Sequence, residues 1–102
     1  MLVKDYNYYK WRDEKEEGKL VGEAKKGVHW IKIFEKNGKY YYNSSKRCKK
    51  LLAISDYVMD LINKGIKKKE SIKEKTLEFF KEEKETNKIK DRLNLVLEAL
   101  KI

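Results

Sequence analysis

Short hydrophobic runs separated by turn signals occupy the first half of the chain, and apolar residues at helical spacing occupy the second half. Residues 5–12 are rich in aromatic side chains and are followed by a charged stretch that ends at Gly18. Residues 19–24 form a second, weaker run, punctuated by Gly18, Gly22 and Gly27. Runs of this length and composition, bounded by turn signals, predict two β-strands.

The clearest local signal is Asn37-Gly38, which separates two runs of β-branched and aromatic residues. Asn-Gly is the preferred pair of a type I′ turn because both central residues need positive φ, so a two-residue hairpin is predicted. Its register pairs Lys36 with Lys39, Glu35 with Tyr40, Phe34 with Tyr41, Ile33 with Tyr42 and Lys32 with Asn43.

Since strand side chains alternate between the two faces of a sheet, this register sorts the hairpin residues into two surfaces. One surface carries His29, Ile31, Ile33, Tyr40 and Tyr42. The other carries Trp30, Lys32, Phe34, Tyr41 and Asn43.

Three amphipathic helices are predicted after the hairpin. The first spans about residues 45–63, with a serine cap before it and a stop at residues 63–65. Ser71 and Glu74 match a capping box and predict a helix over residues 71–86, which either breaks near residues 86–87 or has a solvated middle. A third apolar stripe predicts a helix over residues 87–101.

Strands first and helices afterwards indicate an α+β fold. We expect an N-terminal antiparallel sheet or hairpin over about residues 5–43, followed by two or three helices. A chain of 102 residues is one domain by length. No apolar run is long enough to span a bilayer and residues 1–9 lack a signal-peptide hydrophobic region, so we expect a cytoplasmic protein with no membrane contact.

The single cysteine, Cys48, and the single histidine, His29, exclude an intramolecular disulfide and a Cys/His zinc cage. We therefore expect neither a cofactor nor catalysis.

The charge balance is the more informative feature, because a net charge of +9 attracts polyanions such as nucleic acid, an acidic protein or an anionic membrane surface. Lysine-rich and glutamate-rich helices are also often no more than solvated faces.

The basic excess comes from 23 Lys against 3 Arg, and the chain contains neither Gln nor Pro. Lysine and glutamate enrichment with loss of thermolabile amides is the compositional signal of hyperthermophiles. An AT-rich coding sequence produces the same lysine bias. In composition, the chain resembles the small orphan proteins of hyperthermophilic archaeal viruses, which implies a source and not an activity.

Trp30, Lys32, Phe34 and Tyr41 are predicted to form an aromatic and basic surface. Single-stranded nucleic-acid binders stack bases on exposed aromatic rings while lysines neutralise phosphates. A paired first strand would extend this surface with further residues, which are Tyr6, Tyr8, Trp11 and Arg12. The alternative is that both faces of the sheet are buried, one by the helices and one by a dimer partner or the N-terminal strand.

A second basic element, at the predicted start of the first helix, consists of Lys46, Arg47, Lys49 and Lys50. A helix start with cations beside it suits a phosphate. The string Ser45-Lys46-Arg47-x-x-Lys50-x-x-Ala53 after a hairpin resembles the start of the last helix of double-stranded-RNA-binding domains, over residues 27–53. That family has an N-terminal helix where this chain has an aromatic segment, and a small residue at the position of Lys49.

Asp13 followed by Glu23-Ala24-Lys25 resembles the D…ExK core of metal-dependent nucleases, in which two carboxylates hold Mg²⁺ and the lysine acts on the nucleophile. The helix that normally precedes that core is missing.

Taken together, these patterns favour a small, basic, non-catalytic protein that binds nucleic acid through lysines and hairpin aromatics. The alternative is a protein–protein interaction module, as a homodimer, that uses the aromatic strand face or the C-terminal helical stripe. A small magnesium-dependent nuclease is the third.

Overall fold

A three-stranded antiparallel sheet is followed along the chain by three helices. The structure is a computed structural model, and it describes residues 18–45 and 49–102. The strands are β1 (Lys19–Lys26), β2 (His29–Lys36) and β3 (Lys39–Ser44), and the helices are α1 (Lys49–Asn63), α2 (Lys69–Phe79) and α3 (Thr86–Leu100). The predicted α+β class is confirmed. The strand predicted over residues 5–12 lies outside the described residues.

The predicted hairpin register is confirmed at every pair, from Lys36 opposite Lys39 to Lys32 opposite Asn43. Asn37 and Gly38 adopt φ values of 54° and 80°, as a type I′ turn requires. The strand predicted over residues 19–24 is also present, with two further residues. It pairs with β2, so that β2 is the central strand of the sheet.

The helices cover one face of the sheet. Helix α3 packs on β1 and β2, α1 packs on β3, and α2 lies against α1 and α3. From the sheet, Ile31, Ile33 and Tyr42 enter the core with no exposed surface. The stripes predicted for α1 and α3 face them and are buried; they comprise Leu51, Leu52, Ser55, Val58, Met59 and Ile62, and Ile89, Leu93, Val96, Leu97 and Leu100.

The boundaries predicted for α2 are wrong at both ends. The helix begins at Lys69 after an extended Lys68, which makes no side-chain cap, so Ser71 lies inside the first turn and the capping box does not form. It ends at Phe79 instead of residue 86. Burial explains both ends, because Ile72, Thr76 and Phe80 are the residues of this segment that reach the core. The charged residues that follow Phe80 have no apolar surface to bury.

The other predicted helix boundaries agree closely with the structure. Helix α3 begins and ends one residue before its predicted limits. Helix α1 ends at Asn63, and Gly65 follows with φ 98°. The amides of Gly65 and Ile66 then donate to the carbonyls of Ile62 and Leu61, the pairing of a Schellman motif. Ser45, where this helix is predicted to begin, is not helical, and residues 46–48 lie outside the described part of the chain.

Gly22 is the place where β1 and α3 approach most closely. A Cβ atom built on Gly22 would lie 2.1 Å from the backbone carbonyl oxygen of Ala99, a separation that side chains do not show. The register of β1 against β2 shifts between Leu20 and Gly22, which marks a β-bulge. The bulge leaves Val21 unmatched and brings Gly22 opposite Ile33, directly under α3.

Asn63 joins the end of α1 to the outer edge of β3. Its Oδ1 accepts a hydrogen bond from the backbone N–H of Tyr40 at 2.7 Å, and its Nδ2 donates to the carbonyl oxygen of Tyr40 at 3.1 Å. The side-chain amide of Asn63 therefore pairs with Tyr40 as the backbone of a neighbouring strand would. Both backbone groups of Tyr40 are satisfied at a place where an edge strand would otherwise present them.

We expect Asn63→Ala to lower the free energy of unfolding by about 1–3 kcal/mol, because two partly buried backbone groups lose their partners. Urea unfolding followed by circular dichroism measures the change. Asn94→Ala is the matched control, since Asn94 is exposed in the middle of α3 and its loss should fall within about 0.5 kcal/mol of zero. Equal stability of the two variants would show that the contact of Asn63 with Tyr40 contributes nothing.

Candidate functional site

The candidate site is the outer face of the sheet, defined as the side opposite the helices. Pairing across the strands arranges this face in rows: Leu20, Phe34 and Tyr41 form one row, Glu23, Lys32 and Asn43 the next, and Lys25 and Trp30 a third, with Lys36 and Lys39 at the hairpin end. All four predicted hairpin residues of the aromatic and basic surface therefore share it. Sequence reasoning missed Leu20 and Lys25, because their positions depend on the pairing of β1.

Aromatic and basic side chains alternate along the central strand of the outer face. Trp30, Lys32, Phe34 and Lys36 follow one another at every second residue, about 6.6 Å apart along the strand. The ammonium group of Lys32 lies 5.9 Å from the centre of the Trp30 ring, within the range of a cation–π contact. Lys32 is exposed, whereas the aromatic side chains Trp30, Phe34 and Tyr41 are half-buried.

Among the described residues, the outer face is positively charged, with four lysines against the single carboxylate of Glu23. Five ion pairs are formed elsewhere in the described residues, by Lys26, Lys50, Lys64, Lys81 and Lys88. Within the same residues, Lys25, Lys32 and Lys39 form none. In the described part of the chain, the charges of Lys25, Lys32 and Lys39 are therefore not offset by an ion pair.

Leu20 gives the outer face an apolar corner. Its side chain is 48% exposed, although it stands opposite Phe34, whose own neighbour on β3 is Tyr41. The row across the three strands thus ends in an accessible aliphatic group. A surface with cations, aromatic rings and an exposed aliphatic side chain can contact flat apolar groups and anions together.

Lys67 brings the linker between α1 and α2 to the hairpin end of the sheet. Its ammonium group lies 5.6 Å from the centre of the Tyr40 ring, and Tyr40 in turn is held by Asn63. Burial raises the pKa of the Tyr40 hydroxyl, and a hydrogen bond with Glu35 raises it further, so the ring stays neutral. Lys67 thus contacts the residue that follows Lys39 in β3.

The second predicted basic element is only partly described. Lys46 and Arg47 lie outside the described residues. Lys49 is exposed at the first described turn of α1, and the Nζ of Lys50 lies 3.6 Å from Oε2 of Glu85, which offsets its charge. Ser45, just before this element, is bound to β2 by two hydrogen bonds, from its N–H to the Trp30 carbonyl and from the Trp30 N–H to its Oγ.

His29 stands at the start of the central strand and adds no charge near neutral pH. Burial lowers the pKa of its imidazole, and the positive charge of Arg92 lowers it further. Both effects favour the neutral ring. His29 lies on the face of β2 that carries Ile31 and Ile33, so the positive charge of the outer face comes from its lysines.

The pattern that resembles a nuclease core is described only in part. Glu23 and Lys25 are both exposed on the outer side of β1, and Asp13 lies outside the described residues. In the described part of the chain, no three His, Cys, Asp or Glu side chains are grouped closely enough to hold a metal ion.

Clefts on the helical side have a different character. One of about 740 Å³ is lined by residues 78–85 and Lys50, and another of about 580 Å³ lies beside the stacked rings of Tyr57 and Phe79. In the first, Glu78 pairs with Lys81, and Glu85 pairs with Lys50 and Lys88. The lining mixes both signs, with four glutamates against three lysines, so this cleft is not a cationic surface like the outer face.

Within residues 18–45 and 49–102, none of the helices combines the length and the hydropathy that a membrane span requires. Comparisons of the chain with protein-family models, with curated proteins and with solved structures find no match.

Proposed function

We propose that this protein binds nucleic acid through the outer face of its sheet, without catalysis. The observation that carries the proposal is the set of lysines on that face, Lys25, Lys32 and Lys39, which form no ion pair among the described residues and stand beside half-buried aromatic rings. Uncompensated cations attract a phosphate backbone, and binding is driven by the release of its counterions. The aromatic rings can in addition stack on bases, which a polyanion without bases does not offer.

The net charge of +9 supports the proposal as a long-range effect. A field of one sign raises the rate of encounter with a polyanion, and it weakens as salt is added. Charge alone selects no surface, however, because exposed lysines also occur on the helices. A test must therefore compare lysines on the outer face with an equal number elsewhere.

We expect the triple variant Lys25→Gln, Lys32→Gln, Lys39→Gln to bind oligonucleotides much more weakly than the unaltered protein. Three lost phosphate contacts should reduce the slope of log affinity against log salt by about 2 to 3. Fluorescence anisotropy with labelled single-stranded and duplex oligonucleotides, between about 50 and about 200 mM salt, measures both quantities.

The matched control is Lys75→Gln, Lys84→Gln, Lys90→Gln, which removes the same charge from three exposed positions outside the sheet. It should keep most of the affinity and of the salt slope. If the two triple variants lose affinity equally, the outer face is not the site. If the unaltered protein binds no oligonucleotide at low salt, the protein does not bind nucleic acid.

A second candidate is a protein–protein interface, formed with a second copy of the chain. The exposed Leu20 at the end of the row with Phe34 and Tyr41 favours it, since apolar rows of this kind pack in sheet-to-sheet contacts. Light scattering of the unaltered protein over a range of salt concentrations distinguishes the two. A dimer that persists at high salt indicates an apolar interface, whereas a phosphate site leaves a monomer.

A further inference from the structure

The alternation of aromatic rings and lysines along β2 says more about the ligand than the charge of the outer face does. An aromatic ring, a lysine, a second aromatic ring and a second lysine stand on the same side of one strand, at Trp30, Lys32, Phe34 and Lys36. The two rings are about 13 Å apart along the strand, and a lysine lies between them. Stacking positions and phosphate positions therefore occur in turn along a single line.

We propose that the ligand of this face is a single-stranded polynucleotide, DNA or RNA, laid along β2 with bases on Trp30 and Phe34 and phosphates at Lys32 and Lys36. This inference rests on the proposed function. Bases inside a duplex are stacked on each other, so their flat faces are not available to a protein ring, whereas bases of a single strand can be splayed out. Rings placed on a sheet surface thus fit single strands.

The charges on the neighbouring strands fit the same ligand. Lys25 stands beside Trp30 on β1, and Lys39 stands beside Lys36 on β3, so cations flank both ends of the line. Glu23, the single carboxylate that the three described strands place on this face, lies on β1 beside Lys32 and off the central strand. A polyanion that follows β2 therefore passes between lysines, with one acidic group at its side.

Lys32 is also placed so that a bound nucleotide can contact it through its phosphate while its base stacks on Trp30. Its ammonium group lies 5.9 Å from the centre of the Trp30 ring while its side chain is exposed. A base stacked at Trp30 places its phosphate within reach of that cation. The lysine then contributes to the salt dependence and the ring contributes to the affinity that remains at high salt.

The direct test is the fluorescence of Trp30 in the full chain. Trp11 is the other tryptophan, so Trp11→Phe leaves Trp30 as the single tryptophan emitter. Titration with oligothymidylate or oligouridylate should quench this emission to saturation, because the base stacks on the ring. A mixed-sequence duplex should bind more weakly and leave the emission nearly unchanged.

Affinity measurements on variants provide the second test. We expect Trp30→Ala to weaken binding of either oligonucleotide by about 5- to 150-fold while the weaker duplex affinity stays the same. Trp30→Phe, which keeps a ring, should recover most of the loss. Lys32→Gln should reduce the salt slope by about 0.7, and Lys90→Gln on α3 should not. Thermal melts of each variant show whether it is folded.

The outcomes separate the two proposals. If neither single strands nor duplex bind, the proposed function fails and this inference fails with it. If duplex binds as tightly as single strands and Trp30 emission does not respond, the function stands and the single-strand inference is overturned. If Trp30 emission changes with protein concentration alone, the face is an interface between copies, which overturns both.

Discussion

Gly22→Ala is expected to destabilise the protein by about 3 kcal/mol or more, at or above the upper end of the range for overpacked cores. The added Cβ would lie 2.1 Å from the Ala99 carbonyl oxygen, and both groups belong to backbone that neighbouring packing holds in place. Relief of this clash requires β1 and α3 to separate. Every buried contact between the two elements then weakens at once, including those of Ala24 with the core.

Urea unfolding followed by circular dichroism measures this effect as a fall in the midpoint at unchanged slope. Lys25→Ala is the matched control, because Lys25 is exposed on the same strand and its truncation should change stability by no more than about 0.5 kcal/mol. A Gly22→Ala variant as stable as that control would mean that β1 and α3 are farther apart in solution than in the structure. The bulge between Leu20 and Gly22 would then need another explanation.

Tyr42→Ala is expected to cost about 3–5 kcal/mol, a large part of the stability of a domain of this size. Tyr42 is the largest side chain with no exposed surface, and it lies opposite Ile33 on the face that the helices cover. Its hydroxyl group also donates to the carbonyl oxygen of Leu52 at 3.4 Å. Truncation therefore leaves a cavity between β3 and α1, which the surrounding residues fill only in part.

Tyr42→Phe separates the ring from the hydroxyl. It keeps the buried ring and removes the hydroxyl group with its long hydrogen bond to Leu52, so its cost should be about 1 kcal/mol. Denaturant unfolding of both variants gives the comparison. A phenylalanine variant as unstable as the alanine variant would place the main contribution of Tyr42 in its hydroxyl group, in contradiction to the packing argument.

Local chemistry explains why the hairpin was predictable and the ends of α2 were not. The hairpin register follows from two adjacent residues, Asn37 and Gly38, whose positive φ values any two-residue loop of this type demands. The start of α2 instead depends on which residues contact α1 and α3. Burial of Ile72, Thr76 and Phe80 sets the helix limits, and the local signal of Ser71 and Glu74 has no effect on them.

Some residues of the candidate site could likewise be placed from the sequence, whereas others could not. Alternation within one strand was enough to put Trp30, Lys32 and Phe34 on one face, and the hairpin register added Tyr41. Leu20 and Lys25 join that face through the pairing of β1 with β2, whose register shifts at the bulge between Leu20 and Gly22. Lys67 approaches the hairpin end because Asn63 fastens α1 to Tyr40, a contact between residues 23 positions apart.

By itself, the sequence determined the hairpin, the helical stripes and the separation of two sheet faces, because turn chemistry and side-chain periodicity act over a few residues. The tertiary structure decided which face the helices cover. Both faces carry aromatic rings, but β1 contributes the small residues Gly22 and Ala24 to one of them, opposite Ile33 and Ile31. Only there can α3 approach the sheet closely enough to bury its apolar stripe, so the lysines and Trp30 were left on the other side.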